Sequence, residues 1–292
     1  MARSKYSVTK VNPKSFNLGQ IPFLLMVLPI AAFMLLPLLY IFNHAFKPFD
    51  ELLEYPPKFF VSRPTFNNFV ELFKASSTTA IPVSRYLFNS IVVTIAVVVL
   101  SIVLSSMAGF ALSKLKFHVN KVINEINTIA LMFVGVAVTI PRYMITEKLG
   151  LVDNFLVHII PSLSMPVGLF LIKQTIDDIP NELIEAAKID GASNLRIYWS
   201  IILPMIKSAM ATVAILAFQT VWNDAGVSAT YLNDDTLKTF AYYVSTLSSA
   251  SNSTAGMGMS AAATLIMFLP NLIIFVVLQG KVMSTMAHSG IK

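Results

Sequence analysis

Six long apolar runs separated by short polar links set the pattern of this chain. They lie at about Ile21 to Phe42, Tyr86 to Leu112, Ile123 to Pro141, Phe155 to Ile172, Ser208 to Val221 and Met259 to Gln279. A membrane-crossing helix needs about 20 predominantly apolar residues at 1.5 Å each. Each run is therefore expected to be a helical span, with the fourth interrupted by Pro161 and Pro166. Prolines are tolerated in such helices, so Pro22, Pro29 and Pro37 do not break the first. Glu125 opens the third run, where a helix N-terminus tolerates an acid. The expected fold class is all-α, a polytopic membrane protein with six spans.

The polar segments divide the chain. Residues 1–20 read as a basic, uncleaved cytoplasmic tail, with Arg3, Lys5, Lys10 and Lys14 and no small-residue cleavage site. Residues 21–85 hold the first span and an external loop with short amphipathic pieces such as Phe66 to Phe73. Residues 86–280 form a core of five spans, and 281–292 a second cytoplasmic tail. The link Arg142 to Asn154 is expected outside, with a turn at Gly150. Every short loop placed inside is basic, as orientation by positive charge requires.

One polar stretch inside the core, PNELIEAAKIDGASNLRIYWSIILP at 180–204, has the grammar of two short helices and a turn. Pro180 suits a first helical position, and Asp177 and Asp178 favour a helix start by their charge. Gly191 predicts a left-handed stop. Ser193 can cap a second helix ending near Pro204. Glu182, Glu185 and Ile189 are spaced to share one face, a mixed acidic and apolar ridge that suits a groove in another protein. The competing readings are a partnerless hairpin and an amphipathic hairpin lying on lipid. Lys188 and Arg196 are too few cations for phosphate-driven DNA binding.

Composition narrows the classes. The chain is 55% hydrophobic and 12% charged, with a mean hydropathy of +0.71. That excludes an ordinary soluble domain. The net charge of +6 comes from cations between apolar runs, which are topology signals rather than a nucleic-acid footprint. With no cysteine, disulfides, iron–sulfur clusters and thiolate catalysis are excluded. His44, His118, His158 and His288 are far apart and have no ligand partner at helical spacing, so no metal site is expected. No catalytic set is visible. No phosphate loop occurs either: before Gly280-Lys281 the position of the first glycine is Phe275.

The spacing Glu185-Ala186-Ala187, three residues, Gly191, nine residues, Ile201, one residue, Leu203-Pro204 resembles the EAA loop of ABC importer permeases. Leu149-Gly150-Leu151, Phe170-Leu171, Trp222-Asn223 and Thr236-Leu237-Lys238-Thr239 extend the likeness. They point to the carbohydrate-uptake, maltose-type branch, over roughly residues 85–292. The resemblance implies a type I importer permease fold in the cell membrane, with both termini cytoplasmic. It implies ATPase coupling through Glu185, Ala186, Ala187, Asp190, Gly191, Ile201, Leu203 and Pro204 within a loop at 177–207. Glu185 would pair with a basic ATPase residue. The implied partners are a second, different permease, two ATPase subunits that use ATP and Mg, and an extracytoplasmic solute-binding protein. The implied substrate is a sugar or oligosaccharide. The tail His288-Ser289-Gly290-Ile291-Lys292 lacks the final glycine of many relatives, so no tail role is carried over.

Polar groups in spans are costly and mark functional sites. Gln219, Asn223 and Asp224 are the obvious pathway set, with Trp222 as a candidate for stacking on a sugar. The plainer readings are an interfacial anchor for Trp222 and helix–helix bonds for the amides. Ser101, Ser105, Ser106 and Gly109 form a small-residue face suited to packing. An ion-coupled secondary transporter is the alternative. It would call for intramembrane carboxylates or repeated halves with broken helices, and neither is evident. An intramembrane enzyme would call for a nucleophile–base set, and none is evident.

Overall fold

The computed structural model describes residues 21–78, 81–133, 135–250 and 254–289, all helix, turn or irregular chain with no strand among them. The expected N-terminal tail at 1–20 and the last residues, 290–292, lie outside the described residues. The helices run in order: α1 (Ile21–Phe46), α2 (Phe49–Leu52), α3 (Asn67–Thr78), α4 (Val83–Lys114), α5 (Asn120–Met132), α6 (Thr139–Lys148), α7 (Pro166–Asp177), α8 (Asn181–Ile189), α9 (Asn194–Ile197), α10 (Leu203–Met205), α11 (Lys207–Trp222), α12 (Gly226–Tyr231), α13 (Phe240–Ala250) and α14 (Thr254–Ser289).

Among the described residues four segments are long and apolar enough to cross a bilayer: Ile21–Phe46, Val83–Lys114, Phe155–Asp177 and Gly256–Val277. The third and fifth expected spans are instead bent pairs. Asn120–Met132 and Gly135–Lys148 lie at 112°, and Asn194–Met205 and Lys207–Trp222 at 79°. The count is six if each bent pair crosses once. The expected external link at Arg142 is helical as far as Lys148, because Pro141 sits in the first turn of α6, where a missing N–H costs nothing. Gly150 then turns the chain at φ +67°. The fourth span opens as two short 3-10 turns, Phe155–His158 and Ile160–Leu163, before Pro166 starts α7. Both prolines thus stand near starts of helical turns and do not interrupt a regular helix. At the far end α14 runs past the expected boundary at Gly280 to Ser289.

α4 is the central rod. It packs on α7 and α11, while α1 and α11 pack on α14. Its small-residue face meets α7 as expected. Ser101, Ser105 and Ser106 are buried, and a Cβ on Gly109 would stand 2.9 Å from Ile172 Cγ2. Close approach of this kind is how membrane helices gain dispersion energy without a hydrophobic drive between them. By contrast α5 has no buried side chain, and the apolar residues of α1 from Phe23 to Leu36 are largely exposed.

Beyond α1 the chain builds a lobe on polar bonds. Asn68 Nδ2 donates to the carbonyls of Ala45 (3.0 Å) and Lys47 (2.8 Å). The buried Glu51 carboxylate accepts from the backbone N–H groups of Ser62 (3.0 Å) and Arg63 (2.9 Å). The Ser62 N–H, helped by that of Arg63 and its guanidinium, holds the Glu51 carboxyl below its ordinary value.

Candidate functional site: the polar hairpin

The hairpin begins one residue later than its sequence suggests. Pro180 has φ −57° and ψ 137° and is the N-cap, with Asn181 the first helical residue. Asp177 and Asp178 belong to the end of α7, not to the start of α8. Asp177 is held by Lys173 Nζ at 2.7 Å and by the Ser113 hydroxyl.

The turn is a Schellman cap. Gly191 takes φ +76°. Its N–H donates to Lys188 O (3.0 Å), and the Ala192 N–H donates to Ala187 O (2.9 Å), satisfying carbonyls that the end of α8 would otherwise leave unpaired. No atom lies within 4 Å of a Cβ placed on Gly191. Glycine is therefore required by conformation and not by space. Asp190 is the residue at the helix end just before it. Ser193 Oγ accepts from Arg196 N (3.3 Å) and caps α9, as its sequence position suggests.

From Tyr198 to Ile202 the helix widens into a π turn. Leu203 N–H reaches back five residues to Tyr198 O. Pro204 has no N–H for Ser200 O and its ring would press on that carbonyl, so a wider turn upstream relieves the clash. The expected helix stop near Pro204 is a bend at Ile206 (φ −96°, ψ 14°), from which α11 leaves directly.

The hairpin has two faces. Ile184, Ile197, Ile202 and Ile206 point inward and pack with Ile172, Ile176, Ile179 and Phe110. Ala187, Ile201 and Leu203 lie half-buried against the same cluster. Three of the eight signature residues thus serve the hairpin's own packing. Outward are Glu182, Glu185, Ala186 and Asp190, with Gly191 and Pro204 also exposed. Between them stand large apolar side chains in the open: Ile189 at 86% exposure, Leu195 at 61% and Trp199 at 60%.

Sequence reasoning missed how the hairpin is tied to the bundle. Lys114 Nζ, at the end of α4, donates to Ile179 O (2.6 Å) and to Asn181 Oδ1 (2.9 Å). Tyr198 Oη and Ser106 Oγ lie 2.7 Å apart, both buried. Ser106 already donates to Val103 O, so the Tyr198 hydroxyl is the donor between them. These partners are 65, 67 and 92 residues apart, and no local spacing announces them.

The four pathway candidates do not form one open set. Trp222 is buried, stacked on Phe218 at 5.6 Å between ring centres, and its Nε1–H donates to Met267 O (2.9 Å). In place of an open sugar platform it forms a wedge between α11 and α14. Asp224 Oδ1 accepts from the N–H groups of Gly226 (2.7 Å) and Val227 (3.2 Å), starting α12. Asn223 and Asn271 exchange amide bonds at 3.2–3.3 Å across the α11–α14 seam. Gln219 and Asn223 remain exposed. The Thr236-Leu237-Lys238-Thr239 segment is pinned to α4: Asn89 Nδ2 donates to Thr236 O and Lys238 O, each at 2.8 Å. Among the described residues no cluster of histidine, aspartate or glutamate could hold a metal.

Comparison with known proteins places this arrangement. The permease YcjP of Escherichia coli (strain K12), an inner membrane ABC transporter permease protein, is 26% identical over the full length of both chains. The arabinooligosaccharides transport system permease protein AraQ of Halalkalibacterium halodurans is 32% identical over 197 residues, 67% of this chain and 69% of that one. A bacterial ABC transporter involved in import of the acidic polysaccharide alginate contains a chain of the same fold. Its TM-score is 0.76 at 21% identity, covering 92% of this chain and 99% of that one. The model of the binding-protein-dependent transport system inner membrane component matches residues 97–280. That stretch contains the bent spans, the anchored hairpin and its Glu-Ala-Ala/Gly signature, and the chain belongs to this family of ABC importer permeases.

Proposed function

We propose that the protein is half of the translocation pathway of a sugar or oligosaccharide importer and that the hairpin is its ATPase-coupling element. The two-faced hairpin carries the reading. Its inner face is welded to α4 and α7, while its outer face presents Glu182, Glu185, Ile189, Leu195 and Trp199 to solvent. Exposed apolar side chains rimmed by charge suit a protein groove. In this reading one copy works with a second, different permease, two ATPase subunits that bind ATP and Mg, and an extracytoplasmic binding protein, with both termini in the cytoplasm. The saccharide class is supported by relatives such as the arabinooligosaccharide permease.

The test is uptake and ATP hydrolysis in reconstituted vesicles with subunit stoichiometry checked by gel. Glu185→Ala removes an exposed charge and no membrane packing, so abundance should stay normal while coupling falls. Gly191→Val forces a β-branched residue to φ +76°, a strain of about 1–2 kcal/mol or more, and should lower coupling further. Wild-type transport by both variants with the ATPase attached would refute the coupling role.

A further inference from the structure

Where α4 ends, its link to α5 lies against the first helix of the hairpin, and between them is a cavity of about 690 Å³. Lys114 and Lys116 line it from the end of α4 and the link, and Lys188 lines it from α8. Glu185 is the one carboxylate among its lining residues. Lys114 Nζ donates to two neutral acceptors, Ile179 O (2.6 Å) and Asn181 Oδ1 (2.9 Å), so its charge is held in place and not cancelled. Among the described residues the ammonium groups of Lys116 and Lys188 have neither a carboxylate nor a hydrogen-bond partner. The nearby Asp177 does not neutralise them, because Lys173 and Ser113 already hold it. Three cations against one carboxylate make a site for an anion.

α5 starts at this cavity, and its two faces differ. Asn120 lines the cavity, and its Nδ2 donates to Leu112 O (2.9 Å) and Leu115 O (3.2 Å). Two turns on, Asn127 Nδ2 donates to Pro166 O (3.3 Å). The amide face of α5 is therefore turned onto the bundle. Val122, Ile126 and Ile129 follow one another at i, i+4 and i+7 on the other face, and all three are exposed. A free anion has no use for that apolar face, and the apolar face alone would take any lipid. Together they fit an amphiphile with an anionic head. Basic pockets at the ends of membrane helices bind anionic lipid headgroups, whose phosphate oxygens accept charge-assisted bonds from ammonium groups. Lysines that only set orientation need no common cavity, yet Lys116 and Lys188 share one from two different elements.

We propose that this cavity binds the phosphate headgroup of an anionic phospholipid, whose acyl chains lie along Val122, Ile126 and Ile129 of α5. The bound headgroup bridges the link after α4 and the hairpin. Such a site requires only that the chain cross a membrane, and it stands apart from the nature of the transported solute.

Native mass spectrometry of the intact complex, purified in detergent through this chain and washed of loosely held lipid, reads occupancy directly. Phosphatidylglycerol and phosphatidylcholine of the same chain length are added in equal amounts. Phosphatidylglycerol should be retained several-fold more than phosphatidylcholine. Lys116→Gln combined with Lys188→Gln should abolish that preference. Lys148→Gln should keep it, since Lys148 is exposed at the end of α6 and outside the cavity. Lys114 is left unchanged because it also holds the hairpin. Inorganic phosphate or glycerol phosphate in large excess should displace little of the lipid, because neither has chains to lay on α5. Equal retention of the two lipids, or an unchanged preference in the double variant, overturns the site. Full displacement by inorganic phosphate overturns it in favour of a free-anion site. If the double variant sheds a partner subunit, the lysines make a protein contact and the lipid assignment falls.

Discussion

At the residue scale the Tyr198–Ser106 contact is the sharpest link between the hairpin and the bundle. The bond direction is fixed by Ser106 donating to Val103 O, and this makes the two truncations unequal. Tyr198→Phe removes a donor and leaves Ser106 satisfied, a loss of about 1 kcal/mol. Ser106→Ala strands a buried phenol hydroxyl, at a cost of about 1–3 kcal/mol. If the contact only holds the fold together, both variants lose stability and keep their ratio of solute imported to ATP hydrolysed. If it carries hairpin movement into α4, both lower that ratio in intact complexes. The double variant should then be no worse than Ser106→Ala alone, because the shared bond is already gone. Coupled uptake assays and a thermal midpoint for each of the three variants decide between these outcomes. Additive losses in the double variant would show that the two side chains act separately.

At the scale of elements, what was legible in the sequence followed from local rules. Gly191, Gly150 and Ser193 were readable because positive φ and capping are decided within a few residues. The small-residue face of α4 was readable because Ser101, Ser105, Ser106 and Gly109 repeat at helical spacing. The bends were not, since hydropathy averages over a window and scores a bent pair like a straight run. The packing of Trp222 was illegible for a related reason: its residue type suits both a sugar platform and a helix wedge, and its partner across the seam, Met267 O, lies 45 residues away. The α4–α7 crossing makes its own prediction. A Cβ on Gly109 would meet Ile172 Cγ2 at 2.9 Å and the backbone N of Lys173 at 3.3 Å. A side chain can rotate away, but a backbone atom moves only with its helix. Gly109→Ala should therefore push the helices apart and destabilise the subunit by about 1–3 kcal/mol, as overpacking does. A clearly lowered thermal midpoint of the solubilised complex is expected. An unchanged midpoint would mean that the crossing has slack.

At the scale of the whole molecule the exposed surfaces describe an incomplete object. α5 buries no side chain and carries Glu125 and Thr128 in the open beside a half-buried Asn124, groups that hydrocarbon does not accept without cost. A single copy in lipid would leave that face uncovered, whereas in the assembly proposed above a second permease would cover it. The hairpin's outer face makes the same demand at its own end of the bundle. Orientation can be tested with the surfaces already defined. Ser62 lies in the lobe held by Glu51, and Ser200 lies exposed on the hairpin. With cysteines introduced singly, an impermeant thiol reagent added outside intact cells should label Ser62→Cys and spare Ser200→Cys. In inside-out vesicles the pattern should reverse, and bound ATPase should shield position 200 while leaving a cysteine at Val119 reactive. Labelling of position 200 from outside would overturn the orientation. Equal reactivity at 200 with and without the ATPase would leave the orientation standing and place the ATPase contact elsewhere. The two claims about the hairpin, which side it faces and what it touches, therefore fail separately.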